Sequence, residues 1–149
     1  MKTAICYYST HHGNTLKVAK AMTQGHDADF IDLSTQQGAS LEGYDLIGFA
    51  SGIYAFAFHP SVIAFARKCL PQGKQVFFVY TYGGAKGTGT REIARLVREK
   101  NARVLGEFGC RGYNTFGPFR LVGGSGKGRP TQEDLQRARS FFQELMAKL

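Results

Sequence analysis

Cysteine, acidic residues and long apolar runs are all scarce in this sequence, and each scarcity excludes a class of protein. The three cysteines, Cys6, Cys69 and Cys110, are odd in number and widely spaced, so they predict neither a disulfide framework nor a metal-binding spacing. No segment has the ~20 consecutive apolar residues that a membrane helix requires. Residues 1–3 lead directly into a strand pattern, without the apolar core of a signal peptide. We therefore expect a cytoplasmic protein that does not enter a membrane.

The shortage of acidic residues gives the chain a net charge of +8, from 19 Lys and Arg against 11 Asp and Glu. The excess lies in residues 86–149, which hold thirteen basic and six acidic residues. Such a surface attracts an acidic protein, a nucleic acid or an anionic cofactor, although a generally basic, soluble surface also accounts for it. The sequence has no run of consecutive basic residues and no basic tail, so we do not expect a nucleic-acid partner.

Five apolar segments alternate with segments of helical periodicity along the 149 residues. A chain of this length fits one domain, residues 1–149, with a single core. The alternation predicts an α/β fold, a doubly wound parallel sheet of five strands with helices on both faces. The predicted strands are 2–8, 28–33, 44–50, 74–81 and 103–108, and the predicted helices are 14–24, 60–70, 90–100 and a last one that opens at Pro130-Thr131.

The last predicted helix has clear local signals. Thr131 and Asp134 have the spacing of a capping box, in which each side chain accepts a hydrogen bond from the other residue's backbone N–H. Apolar residues then recur at steps of three and four, which predicts a buried stripe of Leu135, Ala138, Phe142, Leu145 and Leu149.

The residues after the first strand read Tyr7-Tyr8-Ser9-Thr10-His11-His12-Gly13-Asn14-Thr15 and connect that strand to a helix. A helix N-terminus has unpaired backbone N–H groups and the positive end of the helix dipole, which together form an anion site. Ser9, Thr10, Asn14 and Thr15 add further donors, and no carboxylate is present to repel a phosphate. The same residues also suit an ordinary capped turn, so the local pattern leaves both interpretations open.

Two further strand ends share this character. The third strand ends in Ser51-Gly52-Ile53-Tyr54, and the fourth ends in Thr81-Tyr82-Gly83-Gly84. In an open parallel sheet ligands bind beyond the carboxyl ends of the strands. Glycines let the backbone approach a ligand closely, and tyrosines offer flat faces to a ring. The three ends together predict a ligand that is phosphate at one end and planar at the other.

With these motifs the chain resembles a short-chain flavodoxin. Flavodoxins are a standard example of this fold, with flavin mononucleotide (FMN) at the switch point of the sheet. The family's phosphate signature is hydroxyl, any residue, hydroxyl, Gly, any residue, Thr. Residues 10–15 match it at Thr10, Gly13 and Thr15, with Asn14 also in common, and have His12 in place of the second hydroxyl. The resemblance implies a flavodoxin-like sheet of order 2-1-3-4-5 and FMN as the cofactor.

The resemblance also implies roles at matching positions. Thr10, Asn14 and Thr15, with the backbone N–H groups of residues 11–15, would bind the FMN phosphate. Residues 51–54 would cover one face of the flavin ring, with Tyr54 stacked on it, and residues 82–84 would follow the ring edge. No residue is predicted to be catalytic. The predicted cofactor-binding residues are Ser9, Thr10, His11, His12, Gly13, Asn14, Thr15, Ser51, Gly52, Ile53, Tyr54, Thr81, Tyr82, Gly83 and Gly84.

Three functions are compatible with this prediction. The first is an FMN-binding electron carrier, the second an FMN-dependent NAD(P)H:quinone-type reductase, and the third a flavin-free flavodoxin-like interaction module. For a carrier the resemblance implies redox partner proteins, and the positive charge favours acidic ones. The ring-edge residues 82–84 lack the acidic residues common in electron-carrying flavodoxins, which bears on the partner. The sequence is compatible with a monomer or a dimer.

Other motifs give weaker signals. Adjacent His11 and His12 rarely converge on one metal without further ligands, so we predict no metal site. Residues 123–128 resemble a nucleotide P-loop but lack its first Gly and its Ser or Thr. Cys110 lies beside Arg111, which could lower the pKa of its thiol and give it a redox role, but an inert small residue is the simpler explanation. Aromatic residues at 113, 116 and 119 could stack on RNA, but packing against the sheet is the simpler explanation.

Overall fold

Five parallel strands form the centre of the computed structural model, which describes residues 1–9, 13–83, 87–112 and 128–149. In the sheet the order is β2-β1-β3-β5-β6, and neighbours along this path are parallel, whereas β4 lies off it and pairs with β3. The predicted order 2-1-3-4-5 is therefore confirmed. The strands are β1 (Thr3–Tyr8), β2 (Ala28–Asp32), β3 (Leu46–Tyr54), β4 (Ala57–Phe58), β5 (Gln75–Tyr82) and β6 (Arg103–Arg111).

Helices cover both faces of the sheet. Val18 of α1 and Phe142 of α4 share one buried cluster, while Phe65 of α2 and Ile93 of α3 share the other. Each predicted helix ends within two residues of the observed one, apart from the last, whose end was not predicted. No helix in the described ranges is long and apolar enough to cross a membrane. The helices are α1 (Asn14–Met22), α2 (Pro60–Cys69), α3 (Arg91–Glu99) and α4 (Gln132–Ala147).

β1 is an interior strand of the sheet, paired with β2 on one side and β3 on the other. Ala4, Ile5 and Cys6 are fully buried, and they alternate between the two clusters. Side chains of successive strand residues point to opposite faces, so a strand covered by helices on both sides is apolar at every position. This is why residues 4–8 form a continuous apolar run.

The predicted end of the third strand at residue 50 is wrong. β3 continues to Tyr54, and after a two-residue turn the chain returns as β4, with Ile53 opposite Phe58. The turn residues Ala55 and Phe56 have φ of 50° and 66°, the conformation of a type I′ hairpin turn. Such a turn usually has the sequence Asn-Gly, which this chain lacks, so the sequence did not predict a hairpin here. The alternation of large and small side chains in residues 53–58 is the one strand signal.

β6 extends to Arg111, three residues beyond the predicted end. Its pairing with β5 continues through Tyr80 opposite Gly109 and Tyr82 opposite Arg111. The ring of Tyr80 lies directly on Gly109, where an added Cβ would be 2.1 Å from a ring carbon. The glycine therefore allows this close packing, and the extension carries Arg111 to the carboxyl edge of the sheet.

The N-terminus of α4 has the predicted capping box. Thr131 Oγ1 accepts a hydrogen bond from the Asp134 backbone N–H at 3.1 Å, and Asp134 Oδ2 accepts one from the Thr131 N–H at 2.8 Å. Ala138, Phe142 and Leu145 are buried as predicted. The prediction was wrong for Leu149, which is 42% exposed because the helix ends at Ala147.

Candidate functional site

The carboxyl ends of β1, β3 and β5 meet at one edge of the sheet. Tyr8 at the end of β1 lies opposite Ser51, and Gly52 lies opposite Thr81. The residues that follow these positions therefore begin beside one another, as the sequence predicts for parallel strands. Four of the predicted site residues, Thr10, His11, His12 and Gly84, lie outside the described residues, as do 113–120 and 121–127.

The described part of the first loop leads into α1 through Gly13. Gly13 is the N-cap residue, with φ 62° and ψ 30°, and an added Cβ there would meet no atom within 4 Å. As a glycine it has no side chain that could cap α1, and the first turn of the helix has no acidic residue. Ser9 Oγ accepts a long hydrogen bond, 3.4 Å, from the Leu16 backbone N–H. The start of α1 can therefore offer backbone donors to an anion.

Thr15 connects α1 to β5. Its side chain is buried, and its Oγ1 lies 2.9 Å from Thr81 Oγ1 in a hydroxyl–hydroxyl hydrogen bond. Two predicted cofactor residues thus contact each other, and this bond fixes the first turn of α1 against the end of β5. Asn14 packs against Gly112, where a Cβ would come within 2.6 Å of the Asn14 amide nitrogen.

Ser51 organises the predicted ring-covering segment. It is fully buried, and its Oγ accepts a hydrogen bond from the His59 backbone N–H at 2.9 Å. The same hydroxyl donates to the Gly52 carbonyl at 2.6 Å. The ring of Tyr54 lies beside Gly52, 3.2 Å from the position of an added Cβ. We call residues 51–58 the 51–58 hairpin. The hydrogen bonds of Ser51 hold together its first residues and His59, which follows it.

Tyr8, Tyr54 and His59 form an aromatic cluster at this edge. The His59 ring stacks on Tyr8 with centroids 3.7 Å apart and planes 11° apart, and it meets Tyr54 edge-on at 5.1 Å. His59 is also the N-cap of α2, because its Nδ1 accepts from the Ser61 backbone N–H at 3.0 Å. Burial lowers the pKa of His59 below the usual histidine value. Neither Tyr8 nor His59 was a predicted site residue; the position of His59 before Pro60 was the one local signal of a helix start.

Arg111 lies beside the predicted ring-edge segment. Its Nη1 donates to the Gly83 carbonyl at 2.9 Å, and its guanidinium carbon lies 5.7 Å from the centroid of the Tyr82 ring. The tip of the 51–58 hairpin packs against Gly87, where an added Cβ would be 2.9 Å from the Phe56 ring. Phe56 is nevertheless 61% exposed. The edge therefore combines tyrosine, a guanidinium and an exposed aromatic ring.

The alternative in which Arg111 lowers the pKa of the Cys110 thiol is contradicted by the structure. Burial is the largest influence, and it raises the pKa of Cys110 to about 12, with the negative charge of Asp134 adding to the rise. Arg111 instead points to Gly83. In the described part of the chain no three His, Cys, Asp or Glu side chains are grouped closely enough to hold a metal ion.

A cavity of about 520 Å³ lies between the end of β2 and the first turn of α2. Its lining includes none of the predicted cofactor residues and no charged side chain, although it shares Tyr8 with the aromatic cluster. Its walls are formed by Tyr8, Leu33, Ser34, Gln37, Pro60, Ser61 and Ala64.

Comparison with known proteins agrees with this architecture. A family model described as a flavodoxin domain matches residues 5–112, which span β1 to the end of β6 and include all three loops. An uncharacterized protein of Methanocaldococcus jannaschii is 36% identical over 148 residues, which is 98% of this chain and 99% of that protein.

Solved structures share the fold at lower identity. A flavodoxin from the domain Archaea is similar with a TM-score of 0.64 and 21% identity, covering 99% of this chain and 98% of that one. The flavodoxin of Fusobacterium nucleatum, solved bound to flavin mononucleotide, has a TM-score of 0.69 and 14% identity, covering 100% of this chain and 99% of that one. At these identities the similarity establishes the fold alone.

Proposed function

Because this chain belongs to the flavodoxin domain family, whose model matches residues 5–112, we propose that it binds FMN and serves as an electron carrier. One observation carries the proposal. The start of α1, whose N-cap residue Gly13 has no side chain and whose first turn has no acidic residue, lies at the same sheet edge as two segments that combine glycine with tyrosine. This edge therefore brings backbone N–H groups near tyrosine rings, which supports binding of a ligand with a phosphate at one end and a planar ring at the other.

The donor set fits the two ends of FMN. The backbone N–H groups at the start of α1, together with Ser9, Thr10 and Asn14, would hold the phosphate. Tyr54, beside Gly52, would cover one face of the ring, and Tyr82 and Gly83 would follow its edge. Thr15 would act mainly through its bond to Thr81, which holds α1 in place.

FMN, when bound, supplies one- and two-electron chemistry, and the protein contributes binding and electrostatics. In this chain the side chains orient the ring, and Arg111 places a positive charge beside Tyr82. The net charge of +8 favours acidic redox partners. We expect the protein to act in the cytoplasm.

A comparison of FMN with riboflavin tests the proposed phosphate site. Purified apoprotein is titrated with each, and binding is followed by quenching of flavin fluorescence. We expect FMN to bind at least about 100-fold more tightly, since charge-assisted hydrogen bonds to the phosphate contribute ~1.5–3 kcal/mol each. Failure of the wild-type protein to bind FMN would overturn the proposal and leave the flavin-free interaction module.

A matched pair of variants at Gly13 locates the phosphate. Gly13→Asp adds a carboxylate in the open space at the start of α1, and Gly13→Asn adds the same shape without charge; both residues tolerate a positive φ. We expect Gly13→Asp alone to weaken FMN binding by tenfold or more, and riboflavin binding to be equal in the two. Oxidation of NAD(P)H by the loaded protein with a quinone and no partner would instead indicate the reductase.

A further inference from the structure

We propose that His59, in its neutral form, is the positioning residue of the 51–58 hairpin and holds Tyr54 where it can cover the flavin. The proposal rests on the proposed function, because it concerns the segment assigned to the ring. It assigns a role to a histidine that lies outside the three loops predicted from the sequence.

The backbone of His59 fastens the base of the hairpin. Its N–H donates to Ser51 Oγ at 2.9 Å, and that hydroxyl donates to the Gly52 carbonyl at 2.6 Å. This chain of two hydrogen bonds fixes the orientation of the peptide after Gly52. Since Ser51 is fully buried, its hydroxyl is shielded from water and depends on these two partners.

The imidazole ring fastens the side chain of Tyr54. It lies between two tyrosines, stacked on Tyr8 at 3.7 Å and edge-on to Tyr54 at 5.1 Å, while Tyr8 and Tyr54 themselves are 6.5 Å apart. His59 therefore links the end of β1, the hairpin and the first turn of α2. Tyr54 is held by the rings behind it before any ligand is bound.

This arrangement requires the neutral imidazole. Nδ1 accepts a hydrogen bond from the Ser61 N–H, so the neutral ring carries its proton on Nε2, and a second proton on Nδ1 would break the helix cap. A cation at the N-terminus of α2 also opposes the helix dipole. The titratable groups that face the ring are Tyr8 of β1 and Tyr54 of β3, and the first turn of α2 has no acidic residue. Among the described residues His59 forms no ion pair that would stabilise the imidazolium, and burial lowers its pKa.

The lowered pKa of His59 means that acid should destabilise the hairpin. A histidine whose pKa is lower in the folded protein favours the native hairpin above its unfolded pKa of ~6.5, and this contribution is lost as pH falls through the folded pKa. Acid should therefore release the helix cap, and with it the hydrogen bond that orients the imidazole between Tyr8 and Tyr54.

The first measurement uses apoprotein and needs no flavin. We expect the ¹⁵N–¹H signals of Gly52, Tyr54 and Ser61 to shift together between pH 8 and pH 4.5, with the same midpoint below 6.5 as the His59 imidazole. His59→Asn, which retains a capping oxygen, should abolish this transition. His26→Asn is the matched control, because His26 contacts Phe142 on the opposite face of the sheet, and it should leave the transition unchanged. A transition that persists in His59→Asn contradicts the proposal, as do hairpin signals that do not follow the imidazole.

The second measurement is flavin affinity. At pH 8 we expect His59→Ala to weaken FMN and riboflavin binding by the same factor, about tenfold, because the loss concerns the ring and not the phosphate. His59→Phe retains stacking but cannot cap α2, and should lose less. The FMN affinity of the wild-type protein divided by that of His59→Asn should fall from pH 8 to pH 5, because only the wild-type protein loses the neutral imidazole. Protonation of the FMN phosphate affects both proteins equally and does not change this ratio. A constant ratio, or a loss confined to FMN, refutes the positioning role.

If the wild-type protein binds no flavin, the proposed function fails, whereas the apoprotein measurement still decides the role of His59.

Discussion

The three cysteines differ in their access to solvent, and this governs their reactivity. Cys6 and Cys110 are buried, and burial raises the pKa of both thiols, that of Cys110 to about 12. Cys69 lies partly exposed near the end of α2, with its Sγ donating to the Gln37 carbonyl at 3.6 Å. Because the thiolate is the nucleophile, we expect a thiol reagent at pH 8 to label Cys69 in the native protein and to spare the other two.

Peptide mapping by mass spectrometry measures this selectivity. In urea all three cysteines should be labelled, whereas in buffer Cys69→Ser should abolish labelling. Rapid modification of native Cys110 would show that its thiol is accessible and ionised, contrary to the buried site seen here.

For single residues, the sequence predicted which ones lie at the carboxyl edge of the sheet, but it did not predict which side chains contact one another there. Ser51, Gly52 and Thr81 could be placed at one edge because parallel strands end side by side. The Thr15–Thr81 hydrogen bond and the stacking of His59 on Tyr8 could not be predicted, because each joins residues distant in the chain whose approach depends on packing. The raised pKa of Cys110 could not be predicted for the same reason: Arg111 is its neighbour in sequence, but burial has the largest influence on the thiol.

Among the structural elements, the 51–58 hairpin contains a strained turn. Ala55 and Phe56 both have positive φ, which costs a residue with a Cβ roughly 1–2 kcal/mol. Ala55 is exposed, so replacing it by glycine removes this strain without emptying the core. We expect Ala55→Gly to raise the free energy of unfolding by about 0.5–1 kcal/mol, after the greater chain entropy of glycine is subtracted.

The control is the same change in a helix. Ala64 is exposed on α2, and Ala64→Gly should lower the free energy of unfolding by about 1 kcal/mol. Urea unfolding with a constant m-value measures both variants. Equal destabilisation by the two substitutions would show that the turn is not strained at Ala55.

Element boundaries were predicted well where they are marked locally. Pro60 and the Thr131–Asp134 box define the starts of α2 and α4 through their own chemistry. The ends of β3 and β6 were placed too early because neighbouring strands decide them: β3 is prolonged by its pairing with β4, and β6 by its pairing with β5. Glycine in β6, which weakens a strand pattern in sequence, is here required by the ring of Tyr80.

The charge of the whole molecule acts at longer range than any of these contacts. Much of the net charge of +8 lies in the second half of the chain, and Arg91, Arg95 and Arg98 are exposed along α3. Charges of one sign raise the local concentration of an oppositely charged ligand and speed its association. If the protein is an FMN-binding electron carrier, as proposed, this attraction should speed the association of both the FMN phosphate and an acidic redox partner.

Salt should therefore slow the association of FMN. Raising the ionic strength from 0.01 M to 1 M shortens the Debye length from about 30 Å to about 3 Å, which screens distant charges but not contacts. We expect the association rate constant of FMN, measured by stopped-flow fluorescence, to fall by about tenfold. Riboflavin, which lacks the phosphate, should show little change.

Charge reversal on α3 separates this long-range effect from the site itself. Replacing Arg95 and Arg98 by Glu changes the net charge from +8 to +4 at two exposed positions of α3. This variant should bind FMN more slowly at low salt and at the wild-type rate at high salt, whereas Arg95→Lys with Arg98→Lys should behave as wild type at both. Slower association at both salt concentrations would mean that α3 affects the binding site through structure, because screening leaves short-range contacts intact while it removes the field of distant charges.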